Sequence, residues 1–182
     1  MKKAYIKALV LDRINNAPVV LLGIEDSKKV VPIWIGPCEA YVLAMALEGL
    51  ESPRPLTHDL IYNFLDALDV KIERVVIHTV KENTFYANII LKDMSYIDEE
   101  GLEDIPTFEI DARPSDSMIL AVKRGIPIYV SSEIVEEHGI ELQEEHEEDE
   151  EKKFKEFIDN LDIDAFRRML DERKGEDKEE DS

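Results

Sequence analysis

Apolar residues fall in short alternating runs along the first 35 positions. Residues 4–11 predict a strand, Asn15-Asn16 a turn, residues 18–25 a second strand and Asp26 to Lys29 a further turn. Val30 to Ile35 predicts a third strand, so this segment reads as an antiparallel meander. The period then changes. Pro37 suits a first helical position, and Ala40, Leu43, Ala44 and Leu47 follow at helical spacing. That helix is apolar nearly all round to Leu50, which suits burial in a core, in a subunit interface, or in both. Thr57 is expected to cap a second helix with its hydroxyl, with Leu60, Ile61, Phe64, Leu65 and Leu68 as the apolar stripe.

Residues 71–80 and 84–92 are rich in β-branched and aromatic side chains, and Glu82-Asn83 between them predicts a hairpin. An acidic connection over 95–105, with room for a short helical turn, leads to Thr107–Asp111, whose alternation predicts a half-buried strand. Pro114 opens a third helix that directs Met118, Ile119, Ala121 and Val122 to the core. Lys123, Arg124 and Gly125 suit its carboxyl end. A short strand over 126–130 and a helical turn over 132–138 complete a domain over residues 1–142. The fold class is α+β: a mixed, largely antiparallel sheet with about three packed helices, plus a short helical carboxyl-terminal tail.

Residues 143–182 form the acidic tail. Glu144 to Glu151 is expected to be solvated, and the last residues disordered. Phe154, Phe157, Ile158 and Leu161 recover helical spacing, and Phe166, Met169 and Leu170 follow on a last short helix capped by Asp162 or Asp164. The tail holds too little apolar surface to fold alone, so it is expected to dock on the body, on a second subunit or on a protein partner.

Charge narrows the function. The net charge is −20. The first 143 residues carry 14 basic and 24 acidic side chains, and the remaining 39 carry 8 and 18. A basic groove, the usual footprint of nucleic-acid binding, is missing, so any such role needs a local arginine site or a bound cation. Cys38 is the single cysteine, which excludes an intrachain disulfide and fits a reducing compartment. Without a long apolar run or a signal-peptide core, a cytoplasmic location away from membranes is expected.

Two segments share a chemical logic. In Arg54-Pro55-Leu56-Thr57-His58-Asp59 and in Asp111-Ala112-Arg113-Pro114-Ser115-Asp116, an arginine and a proline precede a helix start. Helix amino termini present unpaired N–H groups, and an arginine adds a fork for phosphate or carboxylate. The plainer alternative is local: Asp59 and Asp116 complement helix dipoles, Thr57 and Ser115 cap, and Arg54 and Arg113 hold loops. His58 can serve as a general base or a metal ligand. His78 reads as a packing residue, and no ligand spacing surrounds His138 or His146. Glu39 lies in the first turn of the apolar helix and is a candidate if a cleft opens there. Glycine-rich phosphate loops, nucleophile elbows and Cys-x-x-Cys pairs are all missing.

Several stretches carry a resemblance. They are Val31-Pro32-Ile33-Trp34-Ile35-Gly36-Pro37-Cys38-Glu39-Ala40, Ala46-Leu47-Glu48-Gly49, Pro53-Arg54-Pro55-Leu56-Thr57-His58-Asp59-Leu60, Thr84-Phe85-Tyr86-Ala87 and Ile110-Asp111-Ala112-Arg113-Pro114-Ser115-Asp116-Ser117. In this order, over roughly residues 4–137, they resemble the bifunctional nuclease (BFN) domain family. The resemblance implies an α+β fold, a homodimer and nuclease activity on DNA and RNA, an activity assigned to plant relatives. Its polar motif residues are Glu39, Arg54, His58, Asp59, Asp111, Arg113 and Asp116.

Two functions follow as expectations. In a phosphodiesterase, Asp59, Asp111 and Asp116, with Glu39, hold Mg²⁺ or Mn²⁺, because hard cations prefer carboxylate oxygen. His58 joins the catalytic Asp59, Asp111 and Asp116 as base or acid, while Arg54, Arg113, Thr57 and Ser115 bind phosphate. In a non-catalytic dimeric module, the same groups bind a small anionic ligand or a protein partner. The discriminating feature is whether the three aspartates lie close enough to share one ion.

Overall fold

The computed structural model describes residues 1–12, 17–96 and 105–141. The chain opens with the expected meander: β1 (Lys2–Leu11), β2 (Pro18–Ile24) and β3 (Lys29–Trp34), paired antiparallel. Every residue of β2 is buried, which suits its unbroken apolar run. Two helices follow, α1 (Pro37–Leu47) and α2 (Thr57–Ala67). The expected hairpin is β4 (Val70–Lys81) with β5 (Thr84–Asp93). Glu82 and Asn83 both take positive φ, 48° and 62°, as a two-residue turn between twisted strands requires.

A single 3-10 turn, Met94–Tyr96, leaves β5. The rest of the acidic connection and the whole carboxyl-terminal tail lie outside the described residues. Then come β6 (Thr107–Ala112), α3 (Pro114–Arg124), β7 (Ile128–Val130), α4 (Ser132–His138) and the two-residue β8 (Ile140–Glu141), which the alternation pattern did not suggest.

The eight strands form one sheet in the order β6-β5-β4-β7-β1-β2-β3-β8. Short β7 joins the two hairpin regions, antiparallel to β1 and parallel to β4, the one parallel pair among the described residues. The fold is therefore α+β with a mostly antiparallel mixed sheet and four helices among the described residues.

One face of the sheet carries the main core. Val20, Leu22, Val31, Ile33, Val75, Ile77 and Ile89 meet Ala40, Leu43, Met118, Ile119 and Ile134 from the helices. Each fully buried aliphatic side chain contributes roughly 1.5–3 kcal/mol by leaving water.

Two expectations change in three dimensions. Strand β6 is an edge strand whose residues are exposed up to Asp111, rather than half-buried. Its Phe108 and Ile110 share the helix-bearing face with Leu91 and Ile89, but nothing described lies over them. Helix α2 turns most of its expected stripe outward: Leu60, Ile61, Phe64 and Leu68 are exposed and Leu65 packs on the core, while His58 and Tyr62 are the buried residues. The polar groups of His58 and Tyr62 find partners on α3, and that decides which side faces in.

Leu43 is wholly buried between α1 and the sheet. Leu43→Ala should lower unfolding stability by about 2–5 kcal/mol, read from the shift in denaturant midpoint at unchanged slope. A cost under about 1 kcal/mol would mean that α1 is not seated in the core.

Candidate functional site

All three long helices begin in the same way. Residues Gly36, Leu56 and Arg113 are in extended conformation at the amino-terminal cap, and none caps with its side chain. A proline after Gly36 and after Arg113 forces that extended geometry and occupies the first helical position. The third helical position is acidic each time: Glu39, Asp59 and Asp116. A carboxylate there faces the unpaired N–H groups and the positive dipole end. Thr57 is therefore not the cap of α2; it is the exposed first helical residue, and Asp59 accepts the Leu56 N–H at 2.9 Å. Leucine offers no oxygen to return that bond.

Besides an Asp59–Lys123 ion pair, helices α2 and α3 are bound by three rungs, each joining residues 58 apart in the chain. The His58 Nε2 lies 3.1 Å from Asp116 Oδ1. One turn later the Tyr62 hydroxyl donates to the Leu120 carbonyl at 2.6 Å. One turn further, Arg124 forks onto Asp66 at 2.7 and 2.5 Å, with its guanidinium 3.9 Å from the Tyr62 ring centroid. Spacing of four residues on both helices keeps all three pairs on facing sides. Burial pushes the Tyr62 phenol up to about 12, so it remains a neutral donor at physiological pH. The ladder brings the two arginine–proline segments together.

Arg113 extends the ladder toward α1. Its Nε donates to Asp116 Oδ2 at 2.7 Å, Nη2 to Asp116 Oδ1 at 3.3 Å, and Nη1 lies 2.8 Å from Glu39 Oε1. The carboxylate of Glu39 folds back over Gly36, where a side chain would displace it. His58, Asp116, Arg113 and Glu39 thus form one connected polar chain. His58 is buried, with Nδ1 lacking a partner, whereas the Arg113 side chain is 66% exposed.

A cleft of about 540 Å³ opens at the exposed end of this chain. Glu39, Arg113 and Ser115 supply its polar wall, and Trp34, Phe85 and His138 its aromatic wall. The His138 ring packs edge-on to Phe85, with centroids 5.7 Å apart. No local pattern marks Trp34, Phe85 and His138 as site residues, since strands and a short helix far apart in the chain deliver them. The motif carried a trace of two of them, because Trp34 and Phe85 lie inside the family-like stretches.

The remaining candidates scatter. Asp59 sits 2.7 Å from Lys123 Nζ in a separate pair. Asp111 is exposed on β6, Arg54 is exposed in the loop before α2, and neither lines the cleft. Ser115 is buried at the second helical position, and His146 lies outside the described residues. Lys123 and Arg124, expected only to complement a helix end, instead bind Asp59 and Asp66.

A shared divalent ion does not fit Glu39, Asp59, Asp111 and Asp116. Glu39 and Asp116 turn to Arg113, Asp59 turns to Lys123, and no group of three or more ligand side chains gathers among the described residues. Glu39, Asp59 and Asp116 already face Arg113 or Lys123, so a hard ion would have to displace those cations to reach them.

Burial alone would raise the Asp116 pKa, but the hydrogen bonds from Arg113 and His58 outweigh it and hold the carboxyl below the usual range. The Lys123 hydrogen bond lowers Asp59 in the same sense. A depressed folded pKa means stability that is present above the unfolded value, about 4, and lost as pH falls through the folded value. Asp116→Asn should therefore cost about 1–2 kcal/mol at pH 7 and flatten the acid limb of stability below pH 4. Denaturant titrations from pH 2 to 7 test this; an acid limb as steep as the wild type's would remove Asp116 from the linkage.

Comparison with known proteins places the chain in a family. A family model described as the bifunctional nuclease domain matches residues 20–143. The chain is 34% identical over 175 residues to an uncharacterized protein of Mycobacterium tuberculosis, covering 92% of this chain and 99% of that one. It is 24% identical over 131 residues to bifunctional nuclease 1 of Oryza sativa subsp. japonica, covering 70% of this chain and 38% of the rice protein. With bifunctional nuclease 2 of the same plant, identity is 23% over 124 residues, covering 68% and 36%. The shared stretch contains all three helix starts and both walls of the cleft, and the chain belongs to the bifunctional nuclease domain family.

Proposed function

We propose that this chain is a nuclease that hydrolyses phosphodiester bonds of DNA and RNA at the cleft between the amino-terminal ends of α1 and α3. The observation that carries the reading is the state of Arg113. Asp116 and Glu39 engage three of its five N–H groups and fix its plane, while the rest of the exposed guanidinium faces solvent at the cleft. A phosphate oxygen placed there accepts the remaining donors, and the fixed positive charge offsets the negative charge that grows on the phosphoryl oxygens during attack.

Glu39 is the carboxylate that lines the cleft. It takes a proton from the attacking water as the new P–O bond forms. The P–O bond to the leaving nucleoside then breaks, and that oxygen is protonated from solvent. His58 does not line the cleft, so it acts as a positioning residue, holding Asp116 and through it Arg113. Trp34 and Phe85 offer apolar faces for a base to stack on, which suits an acidic protein without a basic groove. The nuclease names of the rice relatives support the reaction class.

One observation favours a second reading, in which the chain is a non-catalytic module that binds a small anionic ligand. Asp59 and Asp116 are held in ion pairs rather than grouped for metal chemistry. Highly purified wild type, Arg113→Ala and Glu39→Gln should be assayed on single- and double-stranded DNA and RNA with Mg²⁺, Mn²⁺ or EDTA. The nuclease reading expects wild-type cleavage that falls about 100- to 1,000-fold in Arg113→Ala. Equal cleavage by all three proteins would displace the site. No wild-type cleavage, with mononucleotide binding that Arg113→Ala abolishes, would establish the binding module.

A homodimer, which the family resemblance implies, needs an apolar surface, and on α2 Leu60, Phe64 and Leu68 are exposed at intervals of four residues. We propose that this stripe meets a second copy. Wild type should sediment as a dimer at micromolar concentration and Phe64→Asp as a monomer; a monomeric wild type would overturn the assignment.

A further inference from the structure

We infer that the chain's own carboxyl-terminal segment, residues 154–161, docks on the outer face of β1, β2 and β3. This is the face opposite the helices. Its members follow from register: Val10 pairs with Val19, Ala8 with Leu21, Tyr5 with Gly23, and across the next ladder Val19 pairs with Trp34, Leu21 with Pro32 and Gly23 with Val30. Among the described residues, Val10, Val19 and Leu21 form a cluster separate from the main core, with Ala8 packed against it.

The exposures on this face are what call for an occupant. Val30 is 1% exposed, Val19 4%, Val10 7% and Leu21 7%, whereas Tyr5, whose ring lies over Gly23, and Trp34 are 50% and 54% exposed. Neighbours in the plane of a sheet shield a side chain from the sides only; a second layer is needed above it. No described helix supplies that layer, because the buried residues of α1, α3 and α4 belong to the core on the other face. These four side chains are shielded within a single chain, so the cover is the chain's own.

Position and pattern identify the segment. The described chain ends at β8, which pairs with Lys29 and Val30 at the margin of this face. Crossing from β8 to β1 takes three strand spacings, about 14 Å. The twelve residues 142–153 reach up to about 40 Å when extended. Phe154, Phe157, Ile158 and Leu161 then repeat at helical spacing, with Lys155, Glu156, Asp159 and Asn160 between them. An eight-residue helix is about 12 Å long, enough to lie across two or three strands. Pro32 and Trp34 belong both to this face and to the cleft wall, so the docked segment borders the candidate site.

Trp34 is the only tryptophan and reports on this face directly. In the full-length protein, Phe157→Asp/Ile158→Asp should shift its emission to the red and raise acrylamide quenching at least twofold. Lys155→Asp alters charge off the stripe and should leave both unchanged. Zero-length carbodiimide coupling, applied to a mixture of isotopically light and heavy protein, should join β1 lysines to tail carboxylates within one chain. Unchanged Trp34 emission in the double variant, without any tail cross-link, would overturn the proposal. So would cross-links found only between light and heavy chains, which would assign the surface to a second copy's tail.

Discussion

The arrangement of the site depends on one helix pair. Three rungs, beside the Asp59–Lys123 pair, tie α2 to α3, and each places a polar group of one helix against a polar group of the other: a ring nitrogen on a carboxylate, a phenol on a carbonyl, a guanidinium on a carboxylate. Buried polar atoms are costly unless partnered, so these pairs decide which side of α2 turns inward. Had apolar burial alone decided, Phe64 and Leu68 would face the sheet. Instead they lie outside, and His58 is carried to Asp116. The placement of Asp116 then fixes Arg113, and Arg113 fixes Glu39 across the gap to α1.

The same pairs shape the electrostatics. This is a strongly acidic chain, yet the carboxylates at its three helix starts are each bound by a cation or by a helix terminus. Their negative charge is spent locally. What remains toward the cleft is an arginine face beside two aromatic rings, on a protein whose overall field repels polyanions.

The outer face of the sheet shows a different economy. The meander strands are apolar on both sides, as the continuous run in β2 already indicates, and a sheet with two apolar faces needs two covering layers. The helices provide one. Val10, Val19, Leu21 and Val30 on the second face are as little exposed as residues of the core, while Tyr5 and Trp34 beside them stay about half exposed.

Much was determined by local chemistry alone. The meander, the Glu82-Asn83 hairpin, the proline-started helices α1 and α3, and the left-handed Gly125 at 65° all follow from signals a few residues long, because turns and caps are settled by neighbouring atoms. The motif segments also marked both arginine–proline helix starts, and with them the family. Tertiary structure decided the rest. It separated Asp59 and Asp111 from the cleft, gave Asp59 to Lys123, turned the expected stripe of α2 outward and brought Trp34, Phe85 and His138 around Arg113. Those outcomes depend on pairings between residues tens of positions apart. Periodicity places a residue on a face, and only the packed chain determines what that face meets.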